Sequence, residues 1–208
     1  MNKRERLEWL TSPIIEKMST AINKPFDGDR EALVRLYQAH VGLKVDGFPG
    51  TNTAQALYGS RITIARNRRE LSKQVGNFKW KHGKGRRVVW TGKKPAVVRV
   101  DLHNGDRANI HKLFAEEFKN IFELACELSG YTPESVQTYN PRRIGGSRRL
   151  SMHSFGVAVD FDPRLNPMGG TPSMLREHLM FVEVFEWCGW TWGGRWKMKD
   201  DMHFQRKR

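Results

Sequence analysis

Apolar residues recur at helical spacing in two segments near the start of the chain, residues 5–22 and 30–41. Positions three and four apart that share one face are typical of short amphipathic helices. Asp29 precedes the second segment and is placed to cap it. The stretch GLKVDGFPGTNT then supplies turn signals, and Thr51 or Asn52 is placed to open a third helix. The pattern predicts a small domain of three helices over residues 1–62.

The pattern changes in the second half of the chain, where strands and helices are mixed. AVVRVDL is a plausible strand, and residues 106–129 carry one long apolar stripe that predicts the strongest helix, which ends at Gly130. SVQTYN and GVAVDF predict short strands, and Thr171 with Pro172 opens a helix that ends before Gly189. The tail predicts a turn and a last strand. This order predicts an α+β domain over residues 96–208.

The segment GVAVDF alternates in a way that separates a core face from a polar face. Val157, Val159 and Phe161 share one side of the predicted strand, whereas Ala158 and Asp160 share the other. A carboxylate is thereby aimed away from the apolar core.

Positive charge is concentrated between the two predicted domains. Residues 61–99 contain thirteen Lys or Arg and a single acid, Glu70, so this stretch carries +12 of the net charge of +14. Such a cluster attracts a polyanion, either nucleic acid or a bacterial envelope rich in phosphate and carboxylate. The alternative is a solvated basic linker or an edge ribbon, and we assign residues 63–95 as a basic linker.

Two further features of the sequence, its apolar runs and its cysteines, limit the class of protein. The sequence has no run of eighteen apolar residues and no apolar stretch near its start that would serve as a secretory signal. We therefore expect a soluble chain that is made in the cytoplasm. Cys126 and Cys188 both lie within apolar helical patterns, so we expect two small buried hydrophobic residues and no disulfide.

Two histidines and one aspartate form the candidate catalytic constellation. His153 lies in a turn that leads into the strand carrying Asp160, and His203 lies on the last predicted strand. Imidazole and carboxylate ligands suit Zn²⁺, and three protein ligands leave a fourth position open, as in catalytic zinc sites. A hydrolytic site also needs a base. Asp200 and Asp201 both precede His203, and geometry inferred from the sequence does not choose between them.

The first domain resembles a known wall-binding repeat. LVRLYQAHVGLKVDGFPGTNTAQAL, residues 33–57, is similar to the three-helix peptidoglycan-binding repeat found beside many cell-wall hydrolases. The matching positions include Gln38, Asp46 and Thr53, whereas Pro49 departs from the usual Phe-Gly step. The resemblance implies that residues 1–62 bind peptidoglycan.

The second domain resembles a family of zinc peptidases. SMHSFGVAVD matches the Ser-x-His-x-x-Gly-x-Ala-x-Asp signature of the zinc D-alanyl-D-alanine peptidases and phage L-alanyl-D-glutamate endopeptidases, and DDMHF and GWTWGGRW match two further motifs. The resemblance implies an antiparallel sheet of the hedgehog and D-Ala-D-Ala peptidase type. It also implies zinc on His153, Asp160 and His203, with the acid three residues before the second histidine, Asp200, as general base.

The same resemblance points to two substrate-binding residues. The family holds a carboxylate or polarised carbonyl with an arginine upstream of the first signature, and Arg142 is the nearest match. Arg143 is the alternative. Ser151 is a candidate for orienting the substrate or a ligand, and a turn-forming role is its alternative.

Together these features predict a peptidoglycan hydrolase, and the absence of a signal suggests a phage endolysin. We expect it to be stored in the host cytoplasm, to act in the periplasm or cell wall, and to work as a monomer that cleaves the L-alanyl-D-glutamate bond. The alternatives are a D-alanyl-D-alanine carboxypeptidase and a catalytically inactive wall-binding protein. Anionic envelope components are possible further partners. A nucleic-acid-binding protein would explain the charge but not the metal motifs, so no nucleic acid is expected.

Overall fold

A computed structural model describes residues 2–59, 65–170 and 173–206. It shows the mixed α+β class that the sequence predicts, with helices first and a sheet-containing region after them. The chain divides into two compact units, Met1–Arg61 and Ile62–Arg208. None of the described helices is both long enough and apolar enough to cross a membrane.

The described residues of the first unit form four helices where three are predicted. They are α1 (Lys3–Glu8), α2 (Ser12–Ile22), α3 (Arg30–His40) and α4 (Thr51–Tyr58). The predicted first helix is divided because Pro13 stands in the first turn of α2, where the missing N–H of proline is tolerated and where a helix begins rather than continues. Asp29 caps α3 as expected, since its side chain accepts a hydrogen bond from the Ala32 N–H at 3.0 Å.

A buried glutamine organises the loop between α3 and α4. The Gln38 amide donates to the Asp46 carboxylate at 2.9 Å and to the Phe48 carbonyl at 3.0 Å. Its side-chain oxygen accepts from the N–H groups of Asp46 and Gly47 at 3.1 and 2.9 Å. Four hydrogen bonds of one side chain thus help to fix this loop of the segment that resembles the wall-binding repeat.

Within its described residues, the second unit combines helices with three small antiparallel sheets. In chain order its elements are α5 (Arg68–Val75), β1 (Trp80–His82), β2 (Val88–Trp90), β3 (Val97–Asp101), β4 (Arg107–His111), α6 (Ala115–Ser129), β5 (Val136–Gln137), β6 (Ala158–Phe161), α7 (Met174–Glu177), α8 (Leu179–Trp187), β7 (Thr191–Trp192) and β8 (His203–Gln205). The pairs β1–β2 and β3–β4 form hairpins, and the third sheet has the order β5–β6–β8–β7.

The predicted helix over residues 106–129 begins later than expected. Residues Arg107–His111 form β4, which pairs with β3, and the helix α6 starts at Ala115. A tight turn causes the difference, because Gly105 adopts a left-handed φ of 83° and the Asn104 side chain accepts from the Asp106 N–H at 3.1 Å. The turn reverses the chain into a hairpin. The apolar residue Ile110, which fits a helical stripe, lies in a strand.

The described residues of the basic stretch contain a helix and strands, whereas residues 63–95 were assigned as a linker. Within its described part it forms the helix α5 and the hairpin β1–β2, and both fall in the second unit. The hairpin is the edge ribbon that stood as the alternative.

The predicted helix that ends before Gly189 differs from the structure in its start and its continuity. Thr171 and Pro172 lie outside the described residues, and the helix predicted to begin there is two helices, α7 and α8, separated at His178.

The core of the second unit lies between the four-stranded sheet and the helices α6 and α8. Phe161 of β6 and Phe204 of β8 pack against each other with ring centroids 5.4 Å apart. Fully buried aromatic rings from the two helices cover them, namely Phe118, Phe122, Phe181 and Phe185. Cys126 and Cys188 are buried and form no disulfide, as predicted. Burial raises the pKa of the Cys126 thiol to about 12, which makes it unreactive.

Candidate metal centre

Antiparallel pairing places two of the candidate ligands opposite each other. In the register of β6 and β8, Asp160 lies directly across from His203. Side chains of residues opposite each other project on the same face of a sheet. Because Phe161 and Phe204 occupy the other face, the core fixes which side Asp160 and His203 take.

The third candidate ligand comes from the turn before β6. His153 lies in a short 3₁₀ turn, Met152–Phe155, which ends at Gly156 with a left-handed φ of 68°. A side chain at Gly156 would lie 2.9 Å from the backbone nitrogen of His111, so only glycine fits against β4 there. This close approach explains why a glycine separates the histidine from the strand.

The three side chains converge on one point. The His153 Nε2 lies 3.0 Å from the Asp160 Oδ1 and 3.1 Å from the His203 Nδ1, and the His203 Nδ1 lies 2.9 Å from the same carboxylate oxygen. All three residues are buried. In the described part of the chain, these are the residues whose ligand atoms lie close enough together to hold a metal ion.

The outer nitrogens of both imidazoles face protein acceptors. The His153 Nδ1 lies 2.7 Å from the Thr138 carbonyl oxygen, and the His203 Nε2 lies 3.3 Å from the Gln205 Oε1. When each outer N–H donates to its acceptor, a neutral ring presents a lone pair to the centre. Three acceptor atoms then face one another without a proton between them. A cation satisfies such a set, and two imidazoles with one carboxylate suit zinc.

Both oxygens of the Asp160 carboxyl have partners in the site, the two imidazoles on Oδ1 and Arg142 on Oδ2. Burial acts to raise its pKa, but contacts with the two imidazoles hold the pKa below its usual range. Its second oxygen, Oδ2, lies 3.7 Å from a guanidinium nitrogen of Arg142. The carboxylate therefore contributes negative charge to the centre through Oδ1 while Arg142 balances it from the other side.

Asp200 lies beside this centre with an unpartnered carboxyl. It pairs with Met168 in an isolated antiparallel bridge just before the turn into β8, and among the described residues its buried Oδ1 has no hydrogen-bond partner. Burial raises the pKa of Asp200, and the charges that also act on it belong to His203, Asp160, His153 and Arg142. A carboxylate left without a partner next to three candidate ligands is available to take a proton.

Asp201 faces the opposite way and is fully buried in an ion pair. The Arg176 guanidinium donates to both of its carboxylate oxygens, at 2.7 and 2.9 Å. The Trp192 indole N–H also donates to the Asp201 carbonyl oxygen at 2.7 Å. Asp201 therefore holds the turn in place, and its carboxylate is already occupied.

The structure separates the two arginine candidates. Arg142 reaches Asp160, whereas the Arg143 guanidinium donates to the Gly85 carbonyl oxygen at 3.0 Å. Ser151 is buried at the start of the 3₁₀ turn, where its N–H donates to the Arg142 carbonyl oxygen at 2.8 Å. At this position Ser151 forms part of the turn, which is the second of the two roles considered for it.

Sequence reasoning missed the groups that orient the ligands. Gln205 follows His203 by two residues, and the period of a strand places both on one face, so this signal was present in the sequence. The Thr138 carbonyl is a backbone group that every residue has, so the type of residue at this position gives no sign of its role. Arg176 lies 25 residues from Asp201, and no spacing rule connects the two.

One comparison with known proteins finds a match. Residues 145–206 match the family model described as D-alanyl-D-alanine carboxypeptidase. The matched segment contains His153, Asp160, Asp200 and His203, and it excludes Arg142. No curated protein and no solved structure matches the chain. The residues of the candidate centre thus lie in a segment that is similar to a peptidase family.

The buried ion pair yields a stability prediction. Replacing Arg176 by alanine leaves the Asp201 carboxylate buried and unpaired, so we expect the free energy of unfolding to fall by about 3 kcal/mol. Arg195→Ala is the matched control, because Arg195 also lies 5.8 Å from the Trp192 ring but pairs with the less buried Glu186. We expect a loss of under about 1 kcal/mol there. Urea denaturation measures both, and equal losses would contradict the assignment.

Proposed function

We propose that the second unit is a zinc-dependent peptidase that hydrolyses the stem peptide of peptidoglycan. One observation carries the proposal: two imidazoles and a carboxylate converge within 3.1 Å of one another beside the unpartnered carboxyl of Asp200. The match of residues 145–206 to a peptidase family supports the same reaction class.

His153, Asp160 and His203 would hold the metal through the three atoms that face the centre. Bound zinc supplies a Lewis acid for the scissile carbonyl and lowers the pKa of water toward about 7. Asp200 accepts the proton from the attacking water and returns it to the leaving amine. Arg142 lies on the far side of Asp160, where its guanidinium can hold a carboxylate or the carbonyl of the substrate.

We propose the L-alanyl-D-glutamate bond as the one that is cut, in line with the layout of a binding module followed by a peptidase. The second candidate is removal of the terminal D-alanine, which the description of the matching family favours. The two activities release different products from purified peptidoglycan. New alanyl carboxyl and glutamyl amino ends indicate the endopeptidase, whereas free D-alanine indicates the carboxypeptidase.

The first unit is proposed to bind peptidoglycan, and the whole chain to act as a phage endolysin on the wall after release from the host cytoplasm. The ordered loop around Gln38 and Asp46 supports the binding role, since it fixes the segment that resembles the wall-binding repeat. Peptidoglycan is the proposed partner of a monomeric chain. Anionic envelope components are secondary partners through the basic stretch, and nucleic acid has no proposed role.

The metal site yields a prediction about zinc content. We expect one zinc ion per chain in the wild type and none in a His153→Ala, His203→Ala double variant, as measured by elemental analysis of the dialysed protein. Removing zinc should also lower the melting temperature of the wild type, because the metal binds only the folded state. His82→Ala, an exposed histidine on β1, is the control and should keep its zinc. Full zinc in the double variant would remove the assignment.

The two neighbouring acids should differ in their effect on turnover. Asp200→Asn removes the base while keeping the shape, so the rate of peptide release should fall at least about a hundredfold at equal zinc content. Asp201→Asn should cost far less activity, because that carboxylate is engaged by Arg176. Mass spectrometry of digested peptidoglycan measures both rates. Loss of activity in Asp201→Asn with near-normal Asp200→Asn would reverse the roles.

The binding role of the first unit is tested on a fragment. Residues 1–62, expressed alone, should sediment with insoluble peptidoglycan at both low and moderate salt. A fragment that stays in the supernatant while the full chain sediments would move the binding role to the second unit. In that case binding should weaken as salt rises, because exposed charges are screened.

A further inference from the structure

The carboxyl of Asp200 is held in a different way from that of Asp201. Arg176 fixes the Asp201 carboxylate directly, whereas the buried Oδ1 of Asp200 has no hydrogen-bond partner among the described residues. A general base must keep its carboxyl free to take a proton and must still be held within reach of the reacting water. The position of Asp200 therefore depends on the contacts of its backbone.

On one side, the backbone of Asp200 packs against Gly193. The Asp200 N–H donates to the Gly193 carbonyl oxygen at 3.1 Å. A Cβ added at Gly193 would lie 2.5 Å from the Asp200 carbonyl oxygen and 3.1 Å from the Asp200 Cβ. That carbonyl belongs to the main chain and cannot turn aside as the end of a flexible side chain can. Gly193 does not have a positive φ, so the close approach explains the glycine here.

The four-stranded sheet fixes where Gly193 lies. Gly193 is buried and directly follows β7, in which Trp192 pairs with Phe204 of β8. His203 precedes Phe204 on that strand, and its N–H donates to the Asp200 carbonyl oxygen at 3.1 Å. The strand that carries a candidate ligand thus also places the glycine against which Asp200 rests.

On the other side, the loop after β6 reaches the same turn. Met168 and Asp200 are partners in an antiparallel bridge, and the Gly169 N–H donates to the Lys199 carbonyl oxygen at 2.7 Å. The fully buried Asn166 anchors this loop, because its side-chain amide donates to the last carbonyl of β6 at 3.0 Å. The backbone around Asp200 is therefore held from two directions.

We propose that Gly193 is a positioning residue that, together with the bridge to Met168, clamps the backbone of Asp200 and keeps its free carboxyl at the metal centre. The inference rests on the proposed function, in which Asp200 is the general base, and it adds the residue that holds this base in place. A reacting group displaced by about 1 Å can lose roughly a hundredfold in rate. The three atoms nearest to a Cβ at Gly193 all belong to Asp200, so a side chain there displaces the base and leaves the metal ligands in place.

Turnover of a soluble stem peptide tests whether Gly193 acts through Asp200. At equal zinc content, we expect Gly193→Ala to lower kcat at least about tenfold and to change KM less than about twofold. The double variant Gly193→Ala, Asp200→Asn should be no slower than Asp200→Asn alone, because a clamp has no effect once the base is gone. Losses that multiply in the double variant would overturn the inference.

Hydrogen exchange in the full-length protein measures the clamp without turnover. The Asp200 amide should exchange at least about tenfold faster in Gly193→Ala than in the wild type, since its acceptor is the Gly193 carbonyl. Gly194→Ala is the matched control, because it adds the same methyl to the next residue of the turn, where the methyl meets the Trp192 ring. Its Asp200 amide should stay protected. Equal acceleration in both variants would indicate a loosened turn and would contradict the clamp.

Gly169→Ala tests the other side of the clamp and serves if Gly193→Ala does not fold. No atom lies within 4 Å of its added methyl, but its φ of 72° disfavours a side chain, so the hydrogen bond to Lys199 should weaken. Gly105→Ala, with a φ of 83° and the same open space, is its control. Asp200 exchange should accelerate in Gly169→Ala and not in Gly105→Ala, and an unchanged rate in both would count against the clamp.

Failure of the proposed function gives a different result from failure of the clamp. A wild-type protein that holds zinc but releases no product from the stem peptide would remove the peptidase. The exchange rates of the Asp200 amide in the same preparations would still decide whether Gly193 holds this residue.

Discussion

The antiparallel pairing of β6 with β8 is the constraint on which the candidate centre depends. One register places Asp160 across from His203 on one face and packs Phe161 against Phe204 on the other. A slip of one residue would move every side chain of the strand to the wrong face. The aromatic core and the ligand geometry are therefore two results of the same pairing. Burial of apolar rings on one side holds an ion-binding arrangement on the other.

The strand β8 is short, and buried ion pairs fix the chain at both of its ends. Before the strand, Asp201 binds Arg176. After it, the fully buried Arg206 donates to Glu117 of α6 at 2.6 Å, and the Arg206 N–H donates to the Val157 carbonyl at 2.9 Å. Buried pairs stabilise little in net terms, but breaking one is costly, so they specify a single arrangement. His203 is held between two such points.

Much of the centre could be predicted from local patterns, and the rest depends on contacts between distant segments. His153, Asp160 and His203 were predicted as ligands from their types and spacing, and the structure brings their side chains together. The alternation around Asp160 predicted the face on which its side chain lies. Which of Arg142 and Arg143 approaches Asp160 depends on the hairpin β1–β2, whose pairing with residues 141–143 no local pattern reveals.

The fold shows the same division between local and distant information. Helical spacing correctly placed most of α6, but Ile110 fits a helix and a strand equally well. The turn at Asn104 and Gly105 decided between them. A basic stretch without clear periodicity was assigned as a linker, because its order comes from hydrogen bonds to a loop more than fifty residues away. Short strands that depend on hydrogen bonds to distant segments have only a weak sequence pattern of their own.

The opposite orientation of Asp200 and Asp201 also constrains how this chain can change in length. The two acids are identical in type, and only their distance along the chain from His203 decides which one meets the centre and which one meets Arg176. Inserting one residue after Asp201 would place Asp201 three residues before His203, whereas deleting Met202 would place Asp200 two residues before it, so either change gives one acid the position of the other and displaces its neighbour. We infer that the interval between Asp200 and His203 tolerates changes of side chain better than changes of length.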